Sequence, residues 1–527
     1  MKVLVSDKLS QLGIDKLKEA GLEVDVKTGL PADELIKIIP EYDALIIRSE
    51  TKVIPAVIEA SKKLKIIARA GVGIDNVDLL AATQKGIIVV NSPAGNTVAA
   101  AEHTMAMMLS LCRNIPKAEV SFRAGKWERS KLVGTELYQK TLGIIGLGKI
   151  GSQVASYARS FGMQLIAYDP FASLEYAEKI GVTLKKLDEV LSEADILTLH
   201  LPKTKETLHM INKDKFALMK KGVRIINCAR GGVIDEADLA EALKSGQVAG
   251  AAVDVFEKEP PEPNNPLFEA PNTVLAPHLG ASTVEAQENV AIDVVEQVID
   301  VLVKGNPARS AVNIPAMRPE IMMAAKPYMG LAEKIGKLIG QLIDGAPQKV
   351  DIFYAGEVAG LDVSPLSVVV LKGLLEPSLQ DSVNIVNAPL IAKERDIKVS
   401  ETKNSAARGF ANFIEVKVKT HKETRSVGGA LMGSYGERIV RIDEFAVDVA
   451  PAGFLLVASH TDQPGIVGKV GTILGDNKIN IANMDVGRET AGGKAVMVLT
   501  VDSDISADLI EKIAKSANLN RVHLVKI

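Results

Sequence analysis

Thr141-Leu-Gly-Ile-Ile-Gly-Leu-Gly-Lys-Ile-Gly-Ser152 is the stretch whose reading decides the fold. An apolar run ending at Ile145 predicts a buried strand. It enters Gly146-x-Gly148-x-x-Gly151, and Gln153 to Phe161 has helical spacing. In a strand–turn–helix of this kind one glycine makes the turn, one lets the backbone approach a pyrophosphate, and one packs helix on strand. The anion then rests on free N–H groups at the helix N-terminus. A lone glycine-rich turn carries little weight, but here a second apolar strand, Gln164 to Tyr168, ends in Asp169. That lies near the ~20-residue offset at which an acid receives the ribose hydroxyls, and a carboxylate there repels a 2′-phosphate, which favours NAD over NADP.

Working outward toward the N-terminus, residues 1 to about 97 alternate short apolar strands with amphipathic helices, which predicts an open parallel sheet. Its loops carry Arg48-Ser-Glu-Thr51, Arg69 to Asn76 and Asn91 to Thr97, at the strand ends where ligands collect in such sheets. Val98 to Ile115 reads as a long buried helix, in which His103 is expected to be a core or interface residue. Beyond it, Trp127, Arg129 and Lys131 form a polar cluster that is either a solvated face or part of an anion site. Downstream, Ala316 to Val449 reads as further βα patterning, with a hairpin or an anion pocket at Gly428 to Gly436. Phe454 to Ile527 has the pattern βαββαβ, after a joint at Pro451-Ala-Gly453.

A chain of 527 residues holds several domains, and a net charge of −3 gives no reason to expect a nucleic-acid or membrane partner. Its two cysteines, Cys112 and Cys228, lie in apolar surroundings and suggest a reducing compartment. The N-terminus lacks a secretory apolar core, and no apolar run is long enough for a membrane span, so a cytoplasmic protein is expected.

Oxidising an alcohol with NAD needs a base for the hydroxyl proton and a group that holds the substrate. Three residues follow strands of the cofactor half: Arg230 in Cys228-Ala-Arg-Gly-Gly232, Glu259 in Asp254-Val-Phe-Glu-Lys-Glu-Pro-Pro261, and His278 in Pro277-His-Leu-Gly-Ala-Ser-Thr283. All three are expected at the sheet edge that also holds the glycine loop. Arginine grips a carboxylate with paired N–H bonds, which would fix an α-hydroxy acid. Glu259 would set the tautomer of His278 and favour its protonated form, and His278 would take the hydroxyl proton. His200 is the rival base, but it has no acid near it in sequence. No spacing of His, Cys or carboxylates suggests a zinc site.

With these motifs the chain resembles the D-2-hydroxyacid dehydrogenases, in particular the long-form D-3-phosphoglycerate dehydrogenases, over its whole length. The resemblance implies catalytic roles for Arg230, Glu259 and His278. It implies cofactor contacts at Val72, Gly146, Gly148, Lys149, Ile150, Gly151, Asp169, Leu201, Cys228, Ala229, Arg230, Asp254, His278 and Gly280. The substrate would be 3-phosphoglycerate, with its phosphate cradled by Arg48, Asn96 and Thr97 and by Arg129 and Lys131 reaching across a dimer.

The implied architecture is α/β: a doubly wound Rossmann-type nucleotide domain (98–287) inserted in a flavodoxin-like substrate domain (1–97 and 288–315). An α+β intervening domain (316–451) and a ferredoxin-like ACT domain (452–527) follow. His460, Asp462, Gly465, Ile466 and Asn480 match positions that hold L-serine as an allosteric effector in the family; a tail that only dimerises is the alternative. A homodimer or homotetramer is expected. Two other functions stay open at this point: the same chemistry on an unphosphorylated 2-hydroxy acid, and a nucleotide-sensing binding protein on the same scaffold.

Overall fold

The computed structural model describes residues 1–314, 319–379, 383–406 and 409–527. Its first sheet comprises β1 (Lys2–Val5), β2 (Glu23–Val26), β3 (Ala44–Ile47), β4 (Ile66–Arg69) and β5 (Ile88–Asn91). The strands are parallel and lie in the order β2-β1-β3-β4-β5. Alternate residues serve the two faces, as the strand period of two requires. Val3, Val5, Ile46 and Ala68 meet Leu17, Val294 and Val298, whereas Leu4, Leu45, Ile47 and Ile67 meet Leu35, Ile39 and Val57. Burial on both faces explains why these strands are continuous apolar runs.

The second sheet comprises β6 (Thr141–Ile145), β7 (Gln164–Tyr168), β8 (Thr183–Leu184), β9 (Ile196–Leu199), β10 (Val223–Asn227), β11 (Val248–Val253) and β12 (Thr273–Leu275). It is also parallel, in the order β12-β11-β10-β9-β6-β7-β8, so the strand order reverses beside β6 and opens a crevice at its carboxyl end. The chain enters this half through helix Thr97–Cys112, whose Met105, Met108 and Leu111 pack with Leu142 and Ile144. It returns through helix Val284–Leu302, capped by the Thr283 side chain, whose Val290, Val294 and Val298 belong to the first core. The expected cut at 287/288 therefore falls just inside a continuous helix.

The third unit differs from the βα pattern read in the sequence. Its six strands lie in the order Lys398–Asn404, Pro347–Gly356, Asn412–Thr420, Thr424–Met432, Gly436–Ile442 and Phe445–Val449, and only the first two pair in parallel. Val416 and Val418 are buried while Lys417 and Lys419 are exposed, the alternation of an antiparallel sheet with one wet face. Gly428 to Gly436 belongs to a hairpin, as its antiparallel pairing shows. The expected boundary at 315/316 lies outside the described residues.

The last sheet runs Ile481–Arg488, Lys494–Val501, Phe454–Thr461, Arg521–Lys526, all antiparallel. The first of these strands starts at Ile481, after Lys478 takes a left-handed turn (φ 59°) and Ile479 enters the core. One face of this sheet packs on helices Ile466–Asp476 and Ala507–Ser516 through Leu456, Ala458, Met497 and Leu499. The other face, with Leu455, Val457, Val496 and Val498, joins the core of the third unit around Leu338 and Leu342. Arg521 reinforces that junction: its guanidinium lies 2.7 Å from Asp344 and 2.5 Å from Glu423. The third unit is tied in turn to the first, where Asn384 Nδ2 donates to the Gly86 carbonyl at 2.8 Å.

Candidate active site

Register puts the chemistry on one edge. Ile145 pairs with Tyr168 on one side and with Leu199 on the other, Leu199 with Asn227, Asn227 with Val253, and Val253 with Leu275. The loops that follow these residues carry Gly146, Asp169, His200, Arg230, Asp254 and His278, and all of them leave the sheet at its carboxyl end.

At the glycine loop each glycine has its own physical reason. Gly146 has φ 94°, and a Cβ there would lie 2.5 Å from the His200 carbonyl oxygen. A Cβ on Gly151 would lie 2.1 Å from the Gly146 oxygen. Gly148, the residue before helix Lys149–Ser160, faces open space, with nothing within 4 Å of a built Cβ. Lys149, Ile150 and Gly151 are the first turn of the helix, where backbone N–H groups have no partner within the helix, at the end of the glycine loop. Asp169 borders it: its Oδ2 accepts from Leu147 N at 2.7 Å and its Oδ1 from Phe171 N at 2.8 Å. A glycine loop open to solvent, a free helix N-terminus and a carboxylate at the rim fit the pyrophosphate and ribose of NAD.

Across the edge, His278 Nδ1 stands 2.7 Å from Glu259 Oε2, while Glu259 Oε1 accepts from Phe256 N at 3.1 Å. Burial pushes the Glu259 carboxyl up, but the bond to His278 and the charges of His278 and Arg230 outweigh it and hold the group below the usual range. His278 takes φ 54°, so its ring leaves the chain at a sharp turn. The backbone behind it is fixed by Asp254, which is fully buried: its carbonyl accepts from His278 N at 2.8 Å, and its carboxylate from Leu279 N at 2.7 Å and Gly280 N at 2.9 Å.

Arg230 lies over the first half of the molecule. Its Nη1 donates to the Ala229 carbonyl at 2.7 Å, its Nε is 3.4 Å from Asp75, and a Cβ on Gly73 would lie 2.3 Å from its Nη2. The cleft is therefore floored by both sheets. On the first sheet Ile47 pairs with Arg69 and Arg69 with Asn91, so Arg48, Arg69 and the Val72 loop share one edge. Arg48 N donates to Asp7 at 2.5 Å, and Asn91 Nδ2 holds the Val72 carbonyl at 2.5 Å. Asn96 precedes the helix that starts at Thr97, and its Oδ1 is buried without a partner.

Arg69 was not singled out in the sequence beyond its loop. Burial, then repulsion from Arg230 and Arg48, pulls its guanidinium down to about 10, and its Nε has no hydrogen-bond partner. The available signal was a basic residue ending a strand beside the strand that Arg48 follows. Arg129 and Lys131 form an exposed turn; Lys131 pairs with Glu128 at 2.8 Å, and among the described residues no hydrogen bond or ion pair links either residue to the cleft.

His200 has a structural part. Its Nε2 is 3.0 Å from Thr198 Oγ1, and burial pulls its ring down to about 4, so it stays neutral. Leu201 follows it and packs against the second core. Cys228, next to Ala229, has a thiol pushed up to about 12 by burial and by Asp254, which leaves it an inert wall residue.

Three segments of the chain match families of known proteins. Residues 105–280 match the D-isomer specific 2-hydroxyacid dehydrogenase NAD binding domain, 324–443 the D-3-phosphoglycerate dehydrogenase intervening domain, and 454–518 the ACT domain. A D-3-phosphoglycerate dehydrogenase of Synechocystis is 50% identical over 527 residues, covering 100% of this chain and 95% of that one. One of Methanocaldococcus jannaschii is 45% identical and covers 100% of both. A crystal structure of D-lactate dehydrogenase from Aquifex aeolicus, complexed with NAD and lactic acid, superposes with TM-score 0.52 at 30% identity. It covers 58% of this chain and 98% of that one.

The chain belongs to the D-3-phosphoglycerate dehydrogenase family. As a member of that family it is an NAD-dependent oxidoreductase with an ACT domain. In this family member's ACT domain His460 is buried at the end of strand Phe454–Thr461 with Nδ1 unpartnered, and burial lowers its pKa. Asp462 Oδ2 pairs with Arg488 at 2.5 Å, Gly465 (φ 92°) opens the helix that begins at Ile466, and Asn480 Nδ2 donates to Asp502 at 2.8 Å.

Proposed function

We propose that the chain oxidises 3-phospho-D-glycerate to 3-phosphooxypyruvate, the first step of L-serine biosynthesis, with Arg230, Glu259 and His278 as its catalytic residues. The observation that carries the reading is the 2.7 Å His278–Glu259 pair at the sheet edge that holds the glycine loop, across from Arg230. NAD, when bound, supplies the hydride acceptor. Gly146, Gly148, Lys149, Ile150 and Gly151 would hold its pyrophosphate, Asp169 its ribose, and Val72, Leu201, Cys228, Ala229, Asp254 and Gly280 the walls of the groove.

Arg230 orients the substrate carboxylate through paired donors, and Nε2 of His278 accepts the C2 hydroxyl proton. Glu259 keeps the proton of His278 on Nδ1, so Nε2 is free to act, and then balances the imidazolium that forms. Arg48 and the partly buried Arg69, with Asn96 and Thr97, supply the positive wall that a phosphate needs. The two sheets close on the substrate and exclude water. Turnover of 3-phosphoglycerate is expected to exceed that of D-lactate by orders of magnitude, and His278→Ala is expected to abolish both. Undiminished turnover in His278→Ala would refute the base assignment.

The chain is further read as a cytoplasmic homodimer or homotetramer. Ile115, Val120, Phe122, Trp127 and Val133 are large apolar residues left exposed on one segment, which supports self-association there. Such a contact would carry Arg129 and Lys131 toward a neighbouring cleft. L-Serine is the effector assigned to His460, Asp462, Gly465, Ile466 and Asn480. Titrating the full chain with L-serine should lower its activity, and an unchanged rate at millimolar L-serine would count against that assignment. No helix among the described residues is long and apolar enough to cross a membrane.

A further inference from the structure

The buried Asp254 carboxylate needs a partner. A carboxylate in a dry interior is tolerated when it is hydrogen-bonded and paired. Its two oxygens receive Leu279 N and Gly280 N, both neutral donors. The one ionisable base within ion-pair distance, among the described residues, is His103, whose Nε2 lies 3.1 Å from Asp254 Oδ1. Nε2 is buried and has no hydrogen-bond partner among the described residues, which leaves this approach to Asp254 as its polar contact.

Place in the fold gives this contact its meaning. His103 belongs to helix Thr97–Cys112, which carries the chain from the first sheet to the second. Asp254 holds the turn His278 to Gly280, from which the chain returns to the first sheet through helix Val284–Leu302. The two crossings between the halves are thus pinned together at one point, and that point is the anchor of the turn that aims the His278 ring. The His103, Cys228 and Asp254 ligand atoms all lie within 4.8 Å of one another, a spacing that a metal ion would tolerate. A thiol this resistant to ionisation and a carboxylate already engaged by two peptide N–H groups make a structural clamp the better description.

We propose that His103 is a positioning residue: by pairing with Asp254 it fixes the 278–280 turn, and with it the aim of His278, while touching neither substrate nor cofactor. The proposal rests on the reading of His278 as the base. A ring misplaced by a fraction of an ångström loses the line to the hydroxyl proton, and displacements of about 1 Å cost on the order of a hundredfold in rate.

The test uses the full-length enzyme with NAD and 3-phosphoglycerate. His103→Leu should lower kcat by roughly tenfold or more, with KM for 3-phosphoglycerate little changed, because binding groups on the first sheet are untouched. His103→Gln places a donor where Nε2 stood and should restore most of kcat. His103→Asn falls short of Asp254 and should not. In a double-mutant cycle, His103→Leu and Asp254→Asn should be strongly non-additive, since each removes the same contact. Equal kcat in the Gln and Asn variants, or additive losses in the cycle, would overturn the proposal. If His103→Leu does not fold, the Gln and Asn comparison decides alone. His278→Ala separates the two layers. An active His278→Ala enzyme removes the base reading; an inactive one beside an unimpaired His103→Leu removes only the part assigned to His103.

Discussion

Adding one methyl group at Gly151 and another at Gly148 should produce opposite failures. A Cβ at residue 151 would stand 2.1 Å from the Gly146 carbonyl oxygen, 3.2 Å from its carbon and 3.5 Å from the His200 Cβ. An ordinary carbon–oxygen contact needs about 3.3 Å, so helix Lys149–Ser160 must retreat from the loop by roughly 1 Å. Overpacking of that kind costs about 1–3 kcal/mol. It also carries the helix N–H groups away from the pyrophosphate position. Gly151→Ala should therefore melt earlier and bind NAD at least tenfold more weakly, tenfold being about 1.4 kcal/mol.

At residue 148 a Cβ meets nothing within 4 Å, and φ is −73°, a value any residue adopts. Gly148→Ala should melt with the parent protein, yet bind NAD roughly tenfold more weakly, because the methyl fills the space through which the pyrophosphate approaches. The assay is calorimetric titration with NAD beside a thermal melt. NAD affinity unchanged in Gly148→Ala, or melting and affinity both unchanged in Gly151→Ala, would refute the division of labour among these glycines.

Other consequences can be measured directly. If Arg69 belongs to the proposed phosphate cradle, Arg69→Ala should raise KM for 3-phosphoglycerate by on the order of tenfold and leave KM for an unphosphorylated 2-hydroxy acid nearly unchanged. Equal effects on both substrates would remove Arg69 from the phosphate cradle. Between the ACT domain and its neighbour, the Arg521 guanidinium, ahead of the opposing effect of burial, pulls the Glu423 carboxyl down to about 2. A carboxylate depressed on folding stabilises above its ordinary range and loses that contribution as pH falls toward the depressed value. The contribution, discounted for partial exposure, is roughly 2 kcal/mol. Hydrogen-exchange protection of strand Arg521–Lys526 should fall between about pH 5 and pH 2, and Arg521→Ala should flatten that dependence; an unaltered profile in the variant would show that the pair does not hold the junction.

The strand, glycine loop, helix and Asp169 were legible in the sequence because each is a local pattern. Parallel register then put Arg230, Glu259 and His278 on one edge, which strand ends alone imply. Contacts between distant segments were not legible. Arg69 reads as one more loop cation until its place at the end of a strand, near Arg48 and Arg230, is known. His103 was expected to be a core or interface residue, and its contact with Asp254, 151 positions on, depends on how a helix crosses a sheet. The third unit is α+β, as the family resemblance implies, and not the continued βα alternation that its apolar runs suggest. Its alternating Val416-Lys417-Val418-Lys419 was the better guide, since hairpin strands with one solvated face must alternate.

The apolar back of the ACT sheet, shared with helix Pro319–Leu342, has a consequence for how such enzymes are assembled. A sensor of this design is not a detachable tag. Transplanted alone onto a shorter dehydrogenase, residues 452–527 would present Leu455, Val457, Val496 and Val498 to water and invite aggregation. A working chimera needs the preceding unit as its saddle, which makes the two a single inherited cassette.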